Sequence, residues 1–70
     1  MKLHIEIDMS GAAFGIKEGE GYSQAEDEVW IILDHISRRT AALIMNPSPD
    51  GIGLMDSNDN TCGRAWTTED

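Results

Sequence analysis

Apolar and polar residues alternate along the first nine positions. Leu3, Ile5, Ile7 and Met9 fall on one side of an extended chain, and His4, Glu6 and Asp8 on the other. This period of two predicts a half-buried strand with a polar outer face. The period changes further on, where Ala25, Val29, Ile32, Leu33 and Ile36 recur at three- and four-residue steps, which places one apolar stripe along a helix. Ser23-Gln24-Ala25-Glu26 has the spacing of a capping box, with Ser23 at the N-cap and Glu26 reaching back from the third helical position. Glu26, Asp27 and Glu28 crowd the first turn, and Arg38 and Arg39 sit at the far end, each where the helix dipole favours that charge. The helix can extend through Ala41-Ala42-Leu43-Ile44, and Pro47 ends it at the latest.

Between strand and helix, residues 10–22 hold four of the seven glycines and read as a long loop. Phe14 and Ile16 are the residues expected to tuck it onto the core, with Glu18 and Glu20 at a solvated, mobile tip. After the helix, Asn46-Pro47-Ser48-Pro49-Asp50-Gly51 is a turn. Residues 52–56 and 61–67 then flank Ser57-Asn58-Asp59-Asn60 as a hairpin. With Asn58-Asp59 as the central turn residues, Met55 faces Cys62, Leu54 faces Gly63 and Ile52 faces Ala65. Ile52, Leu54, Gly63 and Ala65 then look toward the helix, and Met55, Cys62, Arg64 and Trp66 look away. A one-residue bulge would swap the two faces and bury Trp66. The whole chain, residues 1–70, reads as one α+β domain of β-α-β-β order. One amphipathic helix packs on a three-stranded antiparallel sheet, and a right-handed crossover sets the first strand beside the last.

A domain of 70 residues buries only about 60% of the surface its unfolded chain exposes and is marginal without a disulfide, a metal or a second subunit. Cys62 is the only cysteine, so no intrachain disulfide exists, which fits a reducing compartment. Size alone therefore leaves a homodimer open. The N-terminus lacks the continuous apolar run of a signal peptide, and no segment is long and apolar enough to span a bilayer. The expectation is a complete, cytoplasmic chain.

Charge narrows the partners. Thirteen acids stand against five bases, a formal net charge of −8. Direct binding to nucleic acid or to an anionic membrane needs basic patches and is not expected; a basic protein surface would be attracted.

Candidate chemistry is sparse. Asp56-x-Asn58-x-Asn60 matches the first ligand positions of a calcium loop, but Thr61 stands where that loop needs glycine and Thr67 where it needs a bidentate glutamate. His4, His35 and Cys62 are scattered without the paired spacing of a zinc site. Adjacent Asp34 and His35 point about 100° apart on a helix, so they do not orient one another as in a nucleophilic triad. The glycines around Lys17 lack the order of a phosphate loop. We therefore expect no catalytic residues, no cofactor and no metal.

Two surfaces remain. Glu18, Glu20, Glu26, Asp27 and Glu28 fall within eleven residues, and Asp34 continues down the helix. Carboxylates so spread can stand where phosphates would and compete for Arg and Lys on a nucleic-acid-binding protein. The alternative contact face is the outward hairpin patch of Met55, Cys62, Arg64 and Trp66.

Taken together, Ile5-Glu6-Ile7-Asp8-Met9-Ser10-Gly11-Ala12-Ala13-Phe14, a helix of about fifteen residues, and Leu54-Met55-Asp56-Ser57-Asn58-Asp59-Asn60-Thr61-Cys62-Gly63-Arg64 resemble small acidic proteins encoded by bacteriophages. In size and acidity the chain is also similar to anti-CRISPR proteins, several of which block DNA access with acidic surfaces. The resemblance implies a phage-type inhibitor acting in the host bacterial cytoplasm. It would bind a basic, nucleic-acid-handling host complex such as a CRISPR effector through a DNA-mimicking face. The competing expectation is a structural or assembly protein that uses its hairpin face for homo-oligomer or virion contacts.

Overall fold

The computed structural model describes residues 1–17, 19, 21–47 and 49–69. Strand β1 (Lys2–Ile7) leads through a 3-10 turn (Ala12–Phe14) to helix α1 (Ser23–Ser37), a short helix α2 (Thr40–Met45), and the hairpin of β2 (Ile52–Met55) and β3 (Thr61–Thr68). The sheet order is β1-β3-β2, with both pairings antiparallel. This is the expected α+β arrangement, a β-α-β-β chain with the first strand beside the last. Phe14 and Ala65 are fully buried, and Ile32, Ile36, Leu43 and Leu54 close the core between helix, 3-10 turn and sheet.

The hairpin departs from the expected pairing in an instructive way. The turn closes one residue earlier than Asn58-Asp59 at its centre would require: Asp56 N–H donates to the Asn60 carbonyl, and Asp59 takes a left-handed φ of 61°. Met55 consequently faces Thr61 instead of Cys62. A bulge then absorbs the extra residue, and Leu54 still meets Gly63 and Ile52 still meets Ala65. The bulge turns Cys62 into the core, where it is 7% exposed, so Cys62 does not belong to the outward patch. It does not swap the faces beyond it; Trp66 stays on the outer side.

Helix α1 also starts and stops differently from its sequence signals. Tyr22 occupies the N-cap with helical backbone angles, and no side chain caps the helix. Ser23 already lies inside the first turn, so its hydroxyl cannot act as the expected N-cap. Gln24 instead ties the helix start to the 3-10 turn through a 2.8 Å bond to the Ala13 carbonyl. At the other end Ser37 Oγ donates to the Asp34 carbonyl and Thr40 Oγ1 to the Ile36 carbonyl. Such back-bonding competes with the main-chain ladder, and the helix breaks at Arg38–Arg39 before α2 begins.

The expected apolar faces are only partly covered. Phe14 is buried, but Ile16 is exposed; on α1, Leu33 is 41% exposed and Glu28 lies in the core instead. Leu3 and Ile5 share the inner face with Ala65 and Thr67 yet are 44% and 40% exposed. The strand expected to be half buried is the least covered of the three.

Gly63 sits where β3 passes close to the backbone of β1. A Cβ there would collide with the backbone of Glu6 on β1, and backbone cannot yield as a flexible side chain can. Gly63→Ala should cost about 2–3 kcal/mol through forced displacement of β1, while Ser23→Ala should change stability by less than about 0.5 kcal/mol. Denaturant melts of the two variants check both; a Ser23→Ala loss of the about 1 kcal/mol typical of a lost N-cap would restore the capping box.

Candidate partner-binding surface

The acidic residues expected to form one face have three different fates. Glu26 and Asp27 are exposed on the opening turns of α1. Glu18 and Glu20 lie outside the described residues. Glu28 is 4% exposed and is removed from the surface: its carboxylate accepts the Ser57 N–H at 3.0 Å and the Ser57 hydroxyl at 2.7 Å. It fastens the helix to the hairpin turn and is not available to a partner. Asp34 is exposed but pairs with Arg38 one turn on, at 3.3 Å, which cancels much of its outward field.

The hairpin turn brings further acids to the same end. Asp56 is 7% exposed, and one carboxylate oxygen accepts the N–H groups of Asn58 and Asn60 at 2.9 and 3.0 Å. The side chain that opened the calcium-like pattern is thus spent on shaping the turn. Among the described residues no group of three or more His, Cys, Asp or Glu is placed to hold a metal ion. A shallow hollow of about 320 Å³ lies between this turn and the helix start, walled in part by Gln24, Asp27, Ser57 and Asn58.

Cys62 reports the electrostatics beneath this end. Burial pushes its thiol above the ordinary range, and the negative charges of Asp56, Glu28 and Asp8 raise it further. Asp8 itself is held below the usual carboxylate range by hydrogen bonding to Ser10. Lys17 adds a nearby compensating positive charge on Asp8. Two of the five basic residues lie elsewhere. Arg38 and Arg39 are about 16 Å along the helix axis from Asp27 and beyond, at 1.5 Å per residue. With His35 they rim a groove of about 440 Å³ between α1 and the edge strand β2, floored by Ile32, Ile36 and Leu54. Sequence reading missed this groove, because it depends on where the helix lies across the sheet.

The outer sheet face matches the hairpin expectation for three of its four residues. Met55 is 50% exposed. Trp66 stacks on His4 with ring centroids 5.0 Å apart and planes 9° from parallel. The Arg64 guanidinium lies 3.9 Å from the Trp66 ring centroid and donates to the Pro49 carbonyl at 2.8 Å. His4 was not expected in this patch; its register opposite Trp66 places it there.

No protein-family model matches the chain, and no curated protein and no solved structure gives a significant match. Among the described residues no helix is long and apolar enough to cross a membrane.

Replacing Glu28 with alanine strands the Ser57 donors and frees the hairpin turn from the helix. Hydrogen bonds to a charged group are worth about 1.5–3 kcal/mol, so Glu28→Ala should lower the melting temperature by about 10 °C or more. Glu28→Gln, which keeps the shape and one acceptor, should lose less than half as much. An alanine variant that melts with the wild type would refute the anchoring role.

The thiol makes a separate forecast. A raised folded-state pKa means the protonated form is favoured in the fold, so the stabilisation is complete below the unfolded value and lost as pH rises through the folded one. Cys62 should therefore resist thiol reagents in the native state at pH 8 and label rapidly in denaturant. Stability should decline above the ordinary thiol value of 9.0, and Cys62→Ala should remove that part of the decline.

Proposed function

We propose that this protein acts by binding and not by catalysis, as a phage-type inhibitor of a basic, nucleic-acid-handling complex in the host bacterial cytoplasm. A CRISPR effector is the partner class to which the resemblance points. What carries the reading is the segregation of charge. Glu26, Asp27 and the turn residue Asp59 are exposed toward one end of the molecule, over the buried negative charge of Glu28 and Asp56. Arg38 and Arg39, just past the C-terminal end of α1, lie toward the other end. A surface polarised in this way orients the molecule in the field of a basic groove and speeds encounter. Glu28 contributes to that field without touching the partner, which is a narrower role than its sequence position suggested.

Glu26→Lys with Asp27→Lys tests this, because both side chains are exposed and the fold should survive with a small loss of helix-dipole stabilisation. Binding to a purified CRISPR effector should weaken by about tenfold or more, with the association rate falling most at low salt. The unmodified protein should displace target DNA from the same effector. If the double variant binds as well as wild type while Trp66→Ala abolishes binding, the contact is the Met55–Arg64–Trp66 face and the hairpin reading replaces this one.

A further inference from the structure

β1 is an edge strand with one side unpaired in the sheet. The N–H of Asp8 donates to the Cys62 carbonyl at 2.6 Å, and the register sets Lys2, His4 and Glu6 opposite Thr68, Trp66 and Arg64. In an antiparallel ladder hydrogen-bonded and non-bonded positions alternate, so the even-numbered residues of β1 point their backbone groups at β3. The N–H and C=O groups of Leu3, Ile5 and Ile7 therefore point outward, away from the sheet. Such an open edge is a template for another strand.

The side chains match this geometry. About Ile5, the segment Met1-Lys2-Leu3-His4-Ile5-Glu6-Ile7-Asp8-Met9 is symmetric in apolar character, with Lys2 and His4 on one side and the acids Glu6 and Asp8 on the other. A second copy laid antiparallel with Ile5 on the twofold axis sets Leu3 against Ile7, Lys2 against Asp8 and His4 against Glu6. Lys2 meets the opposite charge of Asp8, Glu6 meets the imidazole of His4, and every apolar residue meets an apolar one. Ile5 faces Ile5 as a bonded pair, so the outward backbone groups of Leu3, Ile5 and Ile7 are all satisfied. Centring the pairing on Glu6 instead would set like charges face to face.

The inner face points the same way. Leu3 and Ile5 are 44% and 40% exposed, and Leu33 is 41% exposed. Helical geometry puts Val29 and Leu33 on the flank of α1 turned away from Glu28 and the groove residue His35, hence away from β2 and toward β1. A twofold axis perpendicular to the joined sheet keeps both helices on one face. Leu3, Ile5 and Leu33 of the two copies then share the trough between them.

We propose that this protein is a homodimer formed by antiparallel pairing of β1 with β1 of a second copy, centred on Ile5, to give a continuous six-stranded sheet. The interface is isologous and uses none of Glu26, Asp27 and Asp59. It differs from the hairpin face, which stays open on the outer side of the sheet.

Sedimentation equilibrium of the full chain across a wide concentration range tests it. Wild type should approach twice the monomer mass. Ile5→Lys, which puts two ammonium groups on the axis at a position already exposed, should leave a folded monomer by circular dichroism. Lys2→Glu and Asp8→Lys should each weaken the dimer by about tenfold, since each replaces attraction by repulsion at two symmetric positions. The double variant Lys2→Glu with Asp8→Lys should recover wild-type association. A monomer at every concentration overturns the proposal. So does a dimer indifferent to Ile5→Lys, or single charge reversals that the double variant fails to rescue.

Discussion

The carboxylate of Glu28 holds two layers of this protein in register. It is buried, where an unpaired charge would be costly, and it accepts both donors that Ser57 offers. Ser57 can offer them because Asp56 has already bent the turn by accepting the next N–H groups along the chain. Two acids thus work in series, one shaping the turn and the other fastening it to α1. The consequence reaches the whole layout. With Glu28 pulled toward the β2–β3 turn, α1 is rotated so that Ile32 and Ile36 meet Leu54 and Ala65, His35 and the arginines overlook β2, and Leu33 turns toward β1.

Much of this architecture was legible in the chain. Alternation from Leu3 to Met9 and the helical stripe from Ala25 to Ile36 are strong periodic signals, because each element buries one face. The crossover rule then leaves few ways to arrange them. The pairing of Leu54 with Gly63 and of Ile52 with Ala65 could be read from the turn. Boundaries and compensations could not. Ser23 carries the capping signature, yet the preceding Tyr22 already has helical angles. The bulge at Cys62 is invisible because an early turn and a bulge cancel two residues later. Only the buried thiol betrays it.

The candidate surface was less legible than the fold, for a physical reason. Charge on a sequence does not say which carboxylate will find a donor inside. Glu26, Asp27 and Glu28 are equivalent as text, and 100° of helical rotation separates each from the next. One of the three meets Ser57 and becomes structural while its neighbours stay in water. Similarly, Asp34 loses its outward field to Arg38, a pairing that i,i+4 spacing permits but does not require. His4 gains a place against Trp66 only because β1 lies beside β3.

The exposed side of β1 follows from the same anchor. A helix with its side chains is about 10–12 Å across, and strands lie about 4.8 Å apart, so one helix covers about two strands of a sheet. The Glu28–Ser57 bonds commit α1 to the β2–β3 side, and the short α2 adds only Leu43 to the buried core. β1 is then left with an open backbone edge and half-covered Leu3 and Ile5. Edge strands are usually protected by charge, proline or a bulge. Here Lys2 lies on one side of Ile5 and Glu6 and Asp8 on the other, so the charges complement an inverted copy of the strand. A sequence selected only to keep the edge free would gain nothing from that arrangement, and like charges along β1 would protect it better.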